Sequence, residues 1–136
     1  MQRTVTRVLL IALGVSIAVA GVWAQFFPAS FYPDFPGFRS AWISLDGPFN
    51  EHLIRDVGGL FLALCVLSLG AAVIGSTAAA RLAALAWLAY SVPHFGYHVT
   101  HLHHFETVDR VLIAATTAAI VVLPLAVLAI PGRRET

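Results

Sequence analysis

The chain contains no lysine, a single cysteine and a single methionine, Met1. Only 11% of its residues are charged, less than half of the roughly 25% usual in soluble domains. All eight basic residues are arginines, the formal net charge is +1, and no basic run occurs. Nucleic-acid binding, which needs a concentrated positive surface, is excluded on that ground. One cysteine excludes an intramolecular disulfide, and Cys65 inside the apolar run 60–69 reads as a small buried hydrophobe. With Met1 and Cys65 the only sulfur donors, soft-ligand copper(I) chemistry is disfavoured. There is no Ser–His–Asp order, phosphate loop or dinucleotide fingerprint, so catalytic serine chemistry is not indicated.

What the chain has is hydrocarbon. Of its 136 residues, 59% are hydrophobic, and the mean hydropathy is +0.83. A soluble fold of this size could not hide so much apolar surface. Four segments, 5–26, 52–74, 81–102 and 108–130, are long enough to cross a hydrocarbon layer of roughly 30 Å at about 20 residues each. The expectation is a single all-α domain over residues 1–136, a four-transmembrane-helix bundle. Pro93 and Pro124 inside the last two segments do not forbid this, because membrane helices tolerate proline.

The links differ in character. Residues 75–80 read as a short turn of small residues. Residues 28–50 form a long first outer loop rich in proline (Pro28, Pro33, Pro36, Pro48) and in aromatics (Phe31, Tyr32, Phe35, Phe38, Trp42, Phe49). Such a loop reads as an ordered cap on the bilayer interface, where aromatic rings prefer to lie. Arg3, Arg7, Arg81, Arg133 and Arg134 share one side if there are four spans, while six of the seven acids fall on the other. The positive-inside rule then places both termini in the cytoplasm and all six histidines at the periplasmic or exterior face of the inner membrane. A cleaved signal peptide competes for the first segment, with Val22-Trp23-Ala24 as a weak cleavage site. The apolar run is long for that role, and Trp23 with Phe26 and Phe27 resembles an interfacial anchor, so an uncleaved first helix is expected.

Five of the six histidines fall in one stretch: His94, His98, His101, His103 and His104. On a helix, His94, His98 and His101 fall within an arc of roughly 60°. Imidazole is costly at a bilayer edge and is the commonest metal ligand in proteins. His52 opens the second span, and Glu106 and Asp109 open the fourth, so topology gathers all of these at one rim. The expected metal ligands are therefore His52, His94, His98, His101, Glu106 and Asp109. Arg55, Asp56, His103 and His104 would orient them, and Tyr97 would serve as a catalytic proton donor. Glu106 can also pair with Arg110, and Glu51 with Arg55, at helical spacing. Histidine with carboxylate suits zinc or non-haem iron, with copper less suited, and two facing histidines in apolar surroundings suit haem.

Two resemblances bear on this. His94-x3-His98 followed by His101-Leu102-His103-His104 resembles the histidine boxes of membrane fatty-acid desaturases and hydroxylases, which hold two irons. The second box here reads H-x-H-H rather than H-x2-H-H, and the third is missing. The resemblance implies histidine-based metal binding, not desaturation. Four spans, a long first outer loop and Arg55-x2-Gly58-Gly59 at the start of span two are similar to small DoxX-like bacterial membrane proteins. That likeness implies the four-helix architecture.

Three functions compete. The first is an integral membrane metalloprotein with its site at the outer face, acting as a small oxidoreductase or hydrolase. The second is a non-catalytic accessory subunit of a larger respiratory-type membrane complex, or a homo-oligomer, packed through its apolar faces. The third is a metal or small-molecule carrier, for which Ser16, Ser68, Thr116 and Thr117 are the polar groups available along the inner halves of the spans.

Overall fold

The computed structural model describes residues 2–39 and 41–132. Every regular element among them is helical: α1 (Gln2–Phe26), α2 (Pro28–Asp34), α3 (Glu51–Ile74), α4 (Thr77–Thr100), a short 3-10 turn (Leu102–His104) and α5 (Thr107–Ala129). Helices α1, α3 and α5 are each long and apolar enough to cross a membrane. Helix α4 has 24 residues, which at 1.5 Å per residue is about 36 Å. Its arginine, tyrosines and histidines make it less apolar than the other three.

Local chemistry fixes the helix ends. Asn50 caps α3 by accepting from the Leu53 N–H at 3.1 Å. Gly75 stops α3 in the left-handed conformation (φ 69°), with its N–H on the Ala71 carbonyl, a backbone shape that costs glycine nothing. Ser76 immediately caps α4 through the Ala79 N–H at 3.2 Å. The link expected over 75–80 thus shrinks to two residues, because an αL stop is followed at once by a good N-cap. Helix α2 lies where a loop is expected. Pro28 stands in its first turn, where a missing N–H costs nothing, and Pro33 near its end.

Helices α1 and α3 run antiparallel in close contact. A Cβ on Gly58 would collide with the backbone of Ala24 and Gln25, so only glycine permits this approach. Each helix also supplies an arginine to the other's C-terminal carbonyls. Arg7 Nε donates to Ala72 O at 3.0 Å, and Arg55 donates to Gln25 O. Those carbonyls have no partner within their own helix, and the cations oppose the negative end of each dipole.

The core climbs through the bundle. Leu10, Ala71, Ala80, Ala83, Ala84 and Val127 pack at the end holding the α3–α4 turn, here the turn end. Leu13, Ile17, Cys65 and fully buried Trp87 fill the middle. At the opposite end, the cap end, Phe31 packs on Ala24 and Ile54, while Trp42 packs on Phe105 and Ile113. An aromatic chain runs through the cap, with Phe31–Phe35 ring centroids 4.8 Å apart and Phe35–Trp42 6.2 Å apart.

Candidate functional site

The polar side chains gather at the cap end, beginning in the last turns of α4. Tyr90, His94 and His98 stand one turn apart on a half-buried stripe. The Tyr90 and His94 rings stack with centroids 4.9 Å apart, and His94 meets His98 edge to face at 4.5 Å. These two imidazoles form the closest histidine pair among the described residues.

His101 leaves the stripe. Helix α4 ends at Thr100, and His101 is its C-cap with φ −120° and ψ 26°. Its ring stacks on Tyr97 at 4.1 Å, and its Nδ1 lies 2.8 Å from Tyr97 O and 3.0 Å from Thr100 Oγ1. The ring is therefore turned toward the carbonyls of the helix end. Tyr97 itself is exposed and meets His98 edge to face at 5.7 Å.

The 3-10 turn brings in a carboxylate that sequence reasoning missed. His104 Nε2 lies 2.9 Å from Asp46 Oδ1, and both side chains are largely covered. Asp46 also stands within electrostatic range of His98. Asp46-Gly47-Pro48 reads locally as a solvated turn. Nothing in its spacing reports a partner 58 residues away. His103 meets His104 edge to face at 5.0 Å and stays exposed.

The carboxylates at the start of α5 are engaged elsewhere. Arg39 grips Asp109 with both arms, Nε to Oδ1 at 2.7 Å and a terminal nitrogen to Oδ2 at 2.8 Å. Trp42 Nε1 donates to the same Oδ1 at 2.9 Å, and Glu106 joins Arg39 at 3.3 Å. Hydrogen bonding to Asp109, then its charge, raise the Arg39 guanidinium above its ordinary pKa. The expected Glu106–Arg110 pair does not form. Arg110 instead donates to the carbonyls of Phe105 at 2.7 Å and His103 at 3.0 Å, holding the 3-10 turn against α5. A fork of guanidinium nitrogens satisfies two carbonyls more fully than one exposed carboxylate would.

At the start of α3, His52 pairs with Asp56 at 3.0 Å and is 87% exposed. Arg55 pairs with Glu51 at 2.8 Å. This corner stands apart from the α4 stripe and braces the α1–α3 contact through Arg55. The structure thus brings His94 to His98 and His104 to Asp46, but it does not bring His52, Glu106 or Asp109 into contact with them. Among the described residues, no group of three or more His, Cys, Asp or Glu side chains is arranged to hold a metal ion.

No family model, curated protein or solved structure matches this chain.

Proposed function

We propose that this is an integral membrane protein that spans the bilayer four times and binds a divalent transition metal at its cap end. His94 and His98 are the primary ligands. The observation that carries the reading is their contact, two imidazoles one turn apart at 4.5 Å on a half-buried face of α4. Neutral imidazoles at this spacing can chelate one ion from a single helix. Because both rings stand on the same helix, they suit a bare ion rather than a haem sandwiched between facing histidines. The oxygen donor of the site is Asp46 rather than Glu106 or Asp109, since Arg39 already neutralises those two. His104, on the 3-10 turn, would join it through its Asp46 partner on the cap loop. His104 and Asp46 are the residues that would complete the ligand set, at the cost of their mutual hydrogen bond. Histidine with carboxylate favours zinc or iron(II) over copper(I).

Four spans with both termini in the cytoplasm would put this rim on the periplasmic or exterior side of the inner membrane. The length of α4 and its antiparallel packing on α5 support that topology, as does the arginine bias of the turn end.

The test is a titration of the purified protein in detergent with zinc chloride, followed by calorimetry. One equivalent is expected to bind. The His94→Ala/His98→Ala double variant should lose affinity by at least about ten-fold, the scale seen when even a supporting residue of a metal site is lost. His52→Ala should bind as the parent does. A double variant with undiminished zinc affinity would overturn the reading.

A further inference from the structure

Two consecutive residues of α5, Asp109 and Arg110, hold the two halves of the His104–Asp46 pair. Arg110 donates to Phe105 O at 2.7 Å and to His103 O at 3.0 Å, which fixes the 3-10 turn that carries His104. Asp109 holds the other half at one remove. Its Oδ1 accepts from the Trp42 indole at 2.9 Å, and the buried Trp42 ring packs on Phe105 and Ile113. Asp46 lies four residues beyond Trp42, and the chain between them is a closed turn. Leu45 N donates to Ala41 O at 3.2 Å and Asp46 N to Ile43 O at 3.1 Å. The turn is also pinned at its start, with Ala41 N on Pro33 O at 2.8 Å and Trp42 N on Phe35 O at 3.3 Å. The Asp46 carboxylate therefore keeps its place only while the indole keeps its own.

We infer that Asp109, acting through Trp42, is the residue that positions Asp46 against His104. Three observations support this role. Asp109 is buried at the start of α5 but does not cap that helix. Among the described residues its side-chain partners are Arg39 and Trp42, both from the loop between α2 and α3. A buried carboxylate is costly unless it is paired, so its burial is tied to the placement of that loop. The loop backbone carries a matching constraint. Ala41 has φ 68°, in the left-handed region that alanine rarely adopts, and a residue persists there only where its surroundings hold it. Finally, Arg110 gives the 3-10 turn the same anchor helix, so both partners of the pair are referenced to one turn of α5. Residues that orient a ligand contribute to metal affinity without touching the ion. The consequence for zinc rests on the metal reading above; the placement of Asp46 does not.

The test uses the full chain in detergent, labelled with 15N-histidine and examined by NMR without metal at about pH 8, where an ordinary histidine is neutral. Asp46→Ala gives the resonance position of a His104 imidazole without its partner. Asp109→Ala and Trp42→Phe should each move His104 toward that position. Trp42→Phe keeps an aromatic ring in place and removes the N–H, so a poorly folded Asp109→Ala does not decide the matter. Ser68→Ala, which breaks a buried bond at mid-bundle, should leave His104 as it is in the parent, and so would Asp109→Ala if its role were merely structural. Calorimetry with zinc chloride on the same proteins should show affinity lowered about ten-fold in Asp109→Ala. The Asp46→Ala/Asp109→Ala double variant should bind no more weakly than Asp46→Ala alone. A His104 resonance unmoved in both Asp109→Ala and Trp42→Phe would overturn the inference, whether or not the parent binds zinc. Losses of zinc affinity that add in the double variant would also overturn it. A parent that binds no zinc while both variants move His104 would uphold the placement and defeat the metal reading.

Discussion

At the scale of single residues, two buried polar contacts show what a sequence reading can and cannot reach. Trp87 is fully buried at mid-bundle, and its indole N–H donates to Ser68 Oγ at 2.7 Å. The Ser68 hydroxyl in turn donates to Leu64 O at 2.7 Å. Removing the hydroxyl leaves a buried indole N–H without an acceptor. Ser68→Ala should therefore destabilise the protein by about 1–2 kcal/mol, from the general cost of an unmade bond and the modest worth of interhelical bonds in membranes. Adding Trp87→Phe removes the orphaned donor, so the double variant should lose less than the two single losses added together. Unfolding in detergent with increasing dodecyl sulfate, read by far-UV circular dichroism, measures both. Full additivity would mean that the bond contributes nothing. The second contact concerns Asp109. Local spacing offered it as a metal ligand, since it starts a span beside Glu106. Its real partners, Arg39 and Trp42, lie 70 and 67 residues earlier. No local periodicity encodes a contact across that distance, and the aromatic, proline-rich composition of the loop gave only its place at the interface.

At the scale of elements, the helices were legible because their signals are local. The apolar runs marked four long segments, and the expected bounds 52–74 agree with α3 to within a residue, whereas α4 begins at Thr77, four residues before the expected 81. The end of α4 was less legible. Nothing apolar or capping stops the histidine run, so the sequence suggested helix through residue 102, and the ring of His101 was assigned to a stripe that it leaves. Pairing of the helices was legible only in part. Glycine at 58 permits a close approach, but no local pattern names α1 as the neighbour. Gly58→Ala tests that approach. The added methyl meets the Gln25 Cα at 2.8 Å, and backbone cannot turn aside as a flexible side chain can. The two helices must part, which also strains the Arg55 bond to Gln25 O. A loss of about 1–3 kcal/mol is expected, the usual cost of overpacking. Gly70→Ala meets nothing within 4 Å and should be neutral or stabilising, because alanine is the better helix former. The same unfolding measurement on both variants separates close approach from helix propensity.

At the scale of the whole molecule, charge divides the ends. Among the described residues, the turn end carries Arg3, Arg7 and Arg81 and no acid, while the cap end carries six acids and three arginines. The cap-end arginines are each tied down, Arg39 to Asp109, Arg55 to Glu51 and Gln25 O, and Arg110 to two carbonyls. They serve the fold, so the arginines that remain to set orientation are at the turn end, and the proposed topology puts that end in the cytoplasm by the positive-inside rule. The decisive element of the proposed topology is α4, which in a four-span bundle must cross so that the α3–α4 turn and the start of α5 lie on opposite sides. Single cysteines in a Cys65→Ala background read this directly. Gly47, with open space around it, and Thr107, exposed at the start of α5, report the cap end. Arg3 and Ala78, both exposed, report the turn end. In intact cells whose outer layers admit the reagent, a membrane-impermeant maleimide should label Gly47→Cys and Thr107→Cys. Arg3→Cys and Ala78→Cys should react only after the inner membrane is opened. Labelling of Ala78→Cys and Thr107→Cys from the same side would show that α4 does not cross. The histidine rim would then lie at a different depth, and His94 and His98 would no longer face the compartment proposed to supply their metal.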